Sequence, residues 1–234
     1  MDVKGRKAVV FGGTSGIGLA TTKSLVEKGA TVIAISRNPD KAGDLPAGVT
    51  TKACDVRDEA AVEALLAECA PYDILVSAAT GGDRAIGPFL EMDMAGYKAS
   101  FDKLWGYANV VRHGVRHLPD DGAAVLVSGA PARNCKPGQV SLSSVGGAVE
   151  ALVRAVAKEI KPKRINVMSP GTISTPMVPL QGEEREKLYT NMTQGNLIPR
   201  AGTAEEAAHG VVFLIENEFV TGTTVDVDGG WLIS

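Results

Sequence analysis

Short β-branched runs alternate with longer helical segments along the whole chain, and this alternation constrains the fold most strongly. Seven strands are predicted, at residues 7–11, 31–36, 49–53, 73–77, 123–128, 164–168 and 223–227. Helices are predicted at residues 16–28, 59–69, 95–118, 141–160, 183–193 and 204–215. Strands that alternate with helices indicate βαβ units, a parallel sheet and helices on both faces. We therefore predict an α/β fold, a doubly wound domain with a mostly parallel seven-stranded sheet.

The length of the chain fits one domain. A chain of 234 residues lies below the size, roughly 250–300 residues, at which cores stop growing and chains divide. No internal repeat or linker interrupts it, so a single domain over residues 1–234 is expected. Residues 170–200 are rich in Gly, Pro and Thr and are predicted to form a substrate lid.

Charge and composition exclude several function classes. The net charge is −3, which gives no electrostatic basis for binding nucleic acid or an anionic membrane. No apolar run is long enough for a signal peptide or a membrane span. The three cysteines form no C-x-x-C pair, which predicts reduced thiols in the cytoplasm and no metal site. His113 and His117 are expected to be solvated or to contact another subunit.

A glycine-rich turn separates the first strand from the first helix. Such a turn lets the backbone approach a pyrophosphate and directs the N–H groups of a helix N-terminus at it. A glycine-rich loop can also be purely steric, but its place between a buried strand and a helix favours a dinucleotide. The residues predicted to bind it here are Gly12, Thr14, Ser15, Gly16, Ile17 and Gly18.

The end of the second strand distinguishes the two nicotinamide cofactors. NAD binding calls for a carboxylate near this point to accept from the ribose 2′-OH. The chain has Ser36, Arg37 and Asn38 there instead, and Asp40 follows only after Pro39. A guanidinium suits a 2′-phosphate, so NADP(H) is the predicted cofactor, although a solvated arginine is the alternative.

These motifs resemble those of the short-chain dehydrogenase/reductase family, and the resemblance covers essentially the whole chain. Residues 11–18 match the T-G-x-x-x-G-x-G turn with Phe11 in place of Thr, residues 165–171 match the sixth-strand signature, and residues 221–230 match the C-terminal pattern. Residues 77–80 depart from the N-N-A-G segment. The resemblance implies a Rossmann-type fold and further cofactor contacts at Asp55, Val56, Ala78, Ala79, Pro170, Gly171, Ile173 and Thr175.

The catalytic residues of the family do not carry over. The family uses an Asn-Ser-Tyr-Lys tetrad, and counting from flanking motifs places Lys103, Gly129, Leu142 and Gly146 at those positions. Leucine cannot transfer a proton and glycine has no side chain, so the usual mechanism cannot apply.

Lys103 is the candidate catalytic residue. With one hundred degrees per residue it falls at the edge of the apolar face of its helix. Its ammonium could enter the space left by Gly146 near a substrate oxygen, or its stem could extend to solvent. A wrong helix phase is the third possibility.

Other candidates carry less weight. Ser141, Ser143 and Ser144 are expected to cap a helix, with ligand binding as the alternative. Cys135 lies in a loop near the predicted site but lacks an activating base. The apolar C-terminal residues 231–233, together with the resemblance, predict a homo-oligomer, a tetramer or else a dimer.

The sequence therefore predicts an NADP(H)-dependent oxidoreductase with a non-standard active site and a small ketone, enone or alcohol as substrate. A catalytically silent NADP(H) sensor or partner-binding module is the alternative, and a non-redox enzyme on the same scaffold is a third.

Overall fold

A computed structural model describes residues 1–80 and 82–234. Its centre is a seven-stranded sheet with the order β3-β2-β1-β4-β5-β6-β7, in which all neighbouring strands are parallel. The strands are β1 Lys7–Phe11, β2 Thr31–Ser36, β3 Thr50–Ala53, β4 Ile74–Ser77, β5 Ala123–Val127, β6 Arg164–Pro170 and β7 Thr224–Val227. The predicted α/β fold is confirmed.

Helices cover both faces of the sheet. They are α1 Gly16–Glu27, α2 Glu59–Cys69, α3 Met94–Ala99, α4 Asp102–Gly114, α5 Val140–Glu159, α6 Gly182–Thr193 and α7 Ala204–Glu216. Apolar side chains of α2, α4 and α5 form one core against the sheet, and those of α1 and α7 form a second core on the opposite face. The central strands are therefore buried on both sides, which explains their apolar composition, whereas the edge strand β3 is largely exposed.

The single helix predicted at residues 95–118 is wrong, because the chain breaks between α3 and α4. The Ser100 hydroxyl bonds back to the Gly96 carbonyl at 2.9 Å and accepts from the Ala85 N–H at 2.9 Å. The Phe101 N–H bonds to Lys98 three residues back, which tightens the turn. The loop that contains Ala85 thus bonds to Ser100, the C-cap residue of α3.

The C-terminal residues are less exposed than the sequence suggests. Trp231 is buried, and its indole N–H donates to the Asn134 carbonyl at 2.8 Å. Only Ile233 of the apolar end is largely exposed, at 79%. This segment therefore gives less reason for an oligomer than predicted.

Contrary to the expectation from sequence, helix α5 is long and apolar enough, by length and composition alone, to cross a membrane. In the structure it packs on β6 and on the turn Ala130–Ala132 as a core helix of the domain. Its Val149 and Val153 belong to the core beneath the sheet.

The strand order reverses direction between β1 and β4, since β2 and β3 lie on one side of β1 and β4 to β7 on the other. In an open parallel sheet, the loops leaving two such strands diverge and leave a crevice at the carboxyl ends. The crevice lies where β1 ends at Phe11 and β4 ends at Ser77.

Candidate functional site

A cavity of about 560 Å³ opens at this crevice. The glycine-rich turn forms its floor, and two glycines there cannot be replaced without a collision. Gly12 has a φ of +76°, and a Cβ on it would lie 2.9 Å from the backbone carbon of Ala78. A Cβ on Gly18 would overlap the carbonyl oxygen of Gly12. The turn is thus as tight as the sequence motif requires.

The N-terminus of α1 faces the cavity. Its preceding residue, Ser15, has an extended backbone and makes no side-chain capping bond, and the first turn of the helix contains no acidic residue. The first N–H groups of a helix have no carbonyl partner within it and carry partial positive charge. This end of the cavity is therefore suited to an anion.

The tip of β2 forms another part of the wall. The Ser36 hydroxyl is buried and has no hydrogen-bond partner among the described residues, and the neighbouring Arg37 is exposed along the wall. Asp55, across from them, is held by Arg57 at 2.6 Å, which lowers the pKa of the Asp55 carboxyl. A cation and an unpartnered hydroxyl thus stand together where a 2′-phosphate is expected.

Nearly all the predicted cofactor residues lie on the wall of this one cavity. They are Gly12, Thr14, Ser15, Gly16, Ile17, Gly18, Ser36, Arg37, Asp55, Val56, Ala78, Ala79, Pro170, Gly171, Ile173 and Thr175. Asn38 is the exception, since it is exposed and does not line the cavity. It follows Ser36 beyond the end of β2, where the chain turns away from the sheet.

The segment after β6 lines the cavity, and part of the predicted lid is the helix α6. Arg185 on this helix donates to the Thr175 carbonyl at 2.8 Å, and the Thr175 N–H donates to the Tyr189 hydroxyl at 3.3 Å. The Thr172 hydroxyl is buried without a partner among the described residues. The segment thus contributes Thr172 and Thr175 to the cavity lining, while α6 bonds to it at Thr175.

The four positions matched to the family tetrad meet on the same wall. Lys103 comes from α4, Gly129 follows β5, and Leu142 and Gly146 come from the first turns of α5. The four positions found by counting along the sequence therefore all line one cavity.

Lys103 points inward. The residue is 9% exposed, and its Nζ donates to the Ser128 carbonyl oxygen at 3.2 Å and lies 5.5 Å from the Tyr107 ring centre. Burial, and then the nearby positive charge of Arg84, lowers the pKa of the Lys103 ammonium to about 7. Of the three sequence alternatives, extension of the stem to solvent is wrong.

The hypothesis that Gly146 leaves a space for the lysine is also wrong. A Cβ on Gly146 would lie 2.8 Å from the Cβ of Ala132 and 3.2 Å from the Ser128 hydroxyl. The missing side chain instead lets the turn at Ala130–Ala132 pack directly on α5. Lys103 instead extends from α4 to the end of β5, where its Nζ donates to the Ser128 carbonyl.

The serines at the start of α5 do not cap it, since Gln139 occupies the N-cap without a side-chain bond. The Ser141 hydroxyl donates to the Ala85 carbonyl, and Ser144 bonds to the Val140 carbonyl and accepts from Tyr97. These hydroxyls hold neighbouring segments together. Cys135 is exposed and does not line the cavity.

The prediction for His113 was wrong. Its ring is buried, with Nε2 at 2.9 Å from Glu59 and Nδ1 at 3.3 Å from Glu63. Both carboxylates come from α2, which packs on the flank of α4 that a single-helix projection treats as solvent. His117 is half-buried against Tyr72. Within the described ranges, no three His, Cys, Asp or Glu side chains converge as a metal site.

Sequence reasoning missed several polar side chains of the cavity lining, and the largest of them are an arginine and two tyrosines. Arg84 follows β4 in a loop, Tyr107 stands one turn after Lys103, and Tyr189 comes from α6. The Tyr107 hydroxyl donates to the Val127 carbonyl at 2.9 Å, and burial raises the pKa of its phenol. Tyr107 is therefore already engaged, whereas no sequence motif marks Arg84.

Comparison with known proteins was consistent along the whole chain. A protein-family model described as enoyl-(acyl carrier protein) reductase matches residues 12–232. The chain is 30% identical to L-xylulose reductase of Bos taurus over 247 aligned positions, covering 99% of each chain.

Solved structures give the same result. A small-chain dehydrogenase in complex with NADPH superposes with a TM-score of 0.87 at 29% identity, covering 99% of this chain and all of the other. BdcA in complex with NADPH superposes with a TM-score of 0.84 at 28% identity, covering 97% of this chain and 94% of the other.

Proposed function

Because the chain belongs to the short-chain dehydrogenase/reductase family, we propose that it is an NADP(H)-dependent oxidoreductase acting on a small carbonyl or alcohol through a non-standard active site. The observation that carries the proposal is one cavity lined by both the cofactor-type residues and an inward-facing lysine.

The residues of the cavity fit NADP(H). The N-terminus of α1 would receive the pyrophosphate, and Arg37 with the unpartnered Ser36 hydroxyl would receive the 2′-phosphate. Thr172, whose hydroxyl has no partner among the described residues, would contact the nicotinamide end together with Ile173 and Thr175. Two buried hydroxyls without partners, one at each end, are costly unless a ligand satisfies them.

When bound, NADPH supplies a hydride to the carbonyl carbon. The carbonyl oxygen then needs a proton and, before that, a partner for its developing negative charge. The Lys103 ammonium can supply both, because one of its N–H groups is held by Ser128 and its pKa of about 7 suits donation near neutrality. Leu142 and Val145 add apolar surface to the cavity lining.

The absence of the family tetrad is part of the proposal. The assignment of the four tetrad positions is supported because all of them line the cavity. They are Lys103, Gly129, Leu142 and Gly146. The same proposal places the protein in the cytoplasm, with Cys54, Cys69 and Cys135 as free thiols.

The first test is cofactor binding followed by turnover. NADPH and NADH are titrated by fluorescence, and oxidation of NADPH is then followed at 340 nm with a panel of ketones, enones and aldehydes. We expect binding of NADPH and reduction of at least one carbonyl class. Binding without any turnover would contradict the proposed enzyme and favour the silent sensor or partner-binding module.

The second test is Lys103→Met, which keeps most of the stem and removes the charge. We expect kcat to fall by about 10²–10³-fold, the usual effect of losing an oxyanion partner. The matched control is Lys158→Met, because Lys158 is exposed on α5 and away from the cavity. Equal turnover by Lys103→Met and the native chain would refute the role of Lys103.

A further inference from the structure

The charges on the cavity wall are unevenly distributed. Among the described residues of this wall, Asp55 is the one carboxylate, and it is bound by Arg57 at the β2 end. The opposite end, around the four tetrad positions, has Arg84 and Lys103 and no acidic side chain. The part of the cavity left for a substrate is therefore positively charged.

Arg84 is held by its neighbour in the chain. The N–H of Ala85 donates to the Ser100 hydroxyl at 2.9 Å, and the carbonyl of Ala85 accepts from the Ser141 hydroxyl. Ser100 and Ser141 are both buried and belong to different helical segments. The backbone N–H and carbonyl of Ala85 are thus both bonded, which anchors the main chain beside Arg84 on the cavity lining.

Neither cation is neutralised within the described part of the chain. Asp102, which adjoins Lys103 in sequence, pairs with Arg57 at 3.5 Å instead. Lys103 bonds only to a backbone carbonyl, and Arg84 has no ion pair there. Burial lowers the pKa of both groups, and the charge of Arg84 lowers that of Lys103 further.

Two like charges in a partly desolvated space are unfavourable unless an anion compensates them. The cofactor's anionic groups already have their own sites at α1 and at Arg37. A guanidinium presents a planar fork that matches a carboxylate with two parallel hydrogen bonds. The unmatched positive charge therefore indicates an anionic group on the other ligand of the cavity.

We propose that Arg84 binds a carboxylate of the substrate, while Lys103 meets the reacting oxygen of the same molecule. The substrate class is then an oxo acid, or the matching hydroxy acid in the reverse direction. This inference rests on the proposed function. Leu142, Val145 and Met192 offer apolar surface for the carbon chain between the two groups.

The experiment uses the protein saturated with NADP⁺ and matched pairs of probes. The probes are 2-oxobutanoate and 4-oxopentanoate, each beside its neutral methyl ester, and binding is measured by ligand-observed NMR. Turnover of the same four compounds with NADPH is followed at 340 nm. We expect each acid to bind more tightly than its ester, and the better acid to give the higher kcat/KM.

The variant Arg84→Gln removes the charge, and it should reduce the affinity for the acid about 10–100-fold with little change for the ester. Arg84→Lys keeps the charge and should retain part of the preference, even if Arg84→Gln folds poorly. The matched control is Arg112→Gln, because Arg112 is an exposed arginine of α4 outside the cavity.

Several outcomes would overturn the carboxylate site. These are equal affinities for acid and ester, an unchanged preference in Arg84→Gln, or a loss of NADPH affinity in that variant as large as the loss for the acid. A different result addresses the proposed function alone. If the acids bind preferentially through Arg84 but no probe or other carbonyl is reduced, the anion site is supported and the oxidoreductase is refuted.

Discussion

Arg37 is the side chain on which cofactor choice is expected to depend. It lines the cavity next to the buried Ser36 hydroxyl, and no carboxylate stands at the tip of β2. A charge-assisted contact to phosphate contributes roughly 1.5–3 kcal/mol, about 10–100-fold in affinity. We expect Arg37→Ala to lose this much NADPH affinity and little NADH affinity in fluorescence titrations. A variant that keeps its NADPH preference would contradict the assignment.

Lys103 should leave a signature in the pH dependence of stability. Its pKa is about 7 in the folded chain, against an ordinary value of 10.5. Between these values the unfolded chain binds the proton more tightly, so the free energy of unfolding should rise with pH. The slope contributed by one such group is at most about 1.4 kcal/mol per pH unit. Below about pH 7 the contribution should be flat.

The measurement is urea unfolding of the native chain and of Lys103→Met, without ligand, from about pH 6 to pH 10. The difference between the two isolates Lys103, because the other titrating groups are common to both proteins. Parallel profiles over the whole range would show that Lys103 has an ordinary pKa.

Some site residues could be predicted from the sequence and others could not. Arg37 was identified from its place at a strand end, and Lys103 by counting between motifs. Both could be found because their positions depend only on nearby sequence. Arg84 could not be found, since its position is set by Ala85 contacts with Ser100 and Ser141, distant in the chain. Its role arises only from tertiary structure.

At the scale of elements, alanine substitutions at two neighbouring glycines of α5 are expected to change stability in opposite directions. Gly146 faces Ala132 so closely that a Cβ would lie 2.8 Å from the Ala132 Cβ, whereas a Cβ on Gly147 would meet only the Ala132 carbonyl oxygen at 3.9 Å. Gly146→Ala should destabilise the protein by about 1–3 kcal/mol, the usual cost of overpacking. Gly147→Ala should stabilise it by up to about 1 kcal/mol through helix propensity.

Urea unfolding of the two variants beside the native chain measures both effects. Both variants make the same substitution in the same helix. Opposite signs of the change in the free energy of unfolding would therefore come from packing alone. If Gly146→Ala proved as stable as Gly147→Ala, the turn at Ala130–Ala132 could not be packed as described.

Strands were easier to predict than helices in this chain. Buried parallel strands are short β-branched runs, and each predicted strand lies within about two residues of its observed position. The apolar helix pattern did not reveal the break at Ser100, because the contact between the Ser100 hydroxyl and the Ala85 N–H depends on tertiary structure. The helical periodicity of α4 correctly predicted that Lys103 lies on the inner side. It could not predict that α2 covers His113, because that contact comes from another element.

At the scale of the whole molecule, the site exists because the strand order reverses beside β1. Residues from the carboxyl ends of six strands, β1 to β6, and from four helices, α1, α4, α5 and α6, line that crevice, although they are spread over most of the chain. Periodicity alone predicts a parallel sheet and leaves the strand order open. The order was accessible from sequence only through the family resemblance.

Large apolar side chains exposed on the surface predict self-association. Ile86, Leu90 and Trp105 are 71%, 97% and 59% exposed and belong to the same stretch of chain. A single chain would leave these three side chains in water. We expect light scattering to give about four times the 24.3 kDa of one chain, or else twice that mass, and Trp105→Glu to lower it. The matched control is Phe219→Glu, since Phe219 is fully exposed and lies more than one hundred residues away from Trp105 in the sequence. A mass of one chain at micromolar concentration would refute the oligomer.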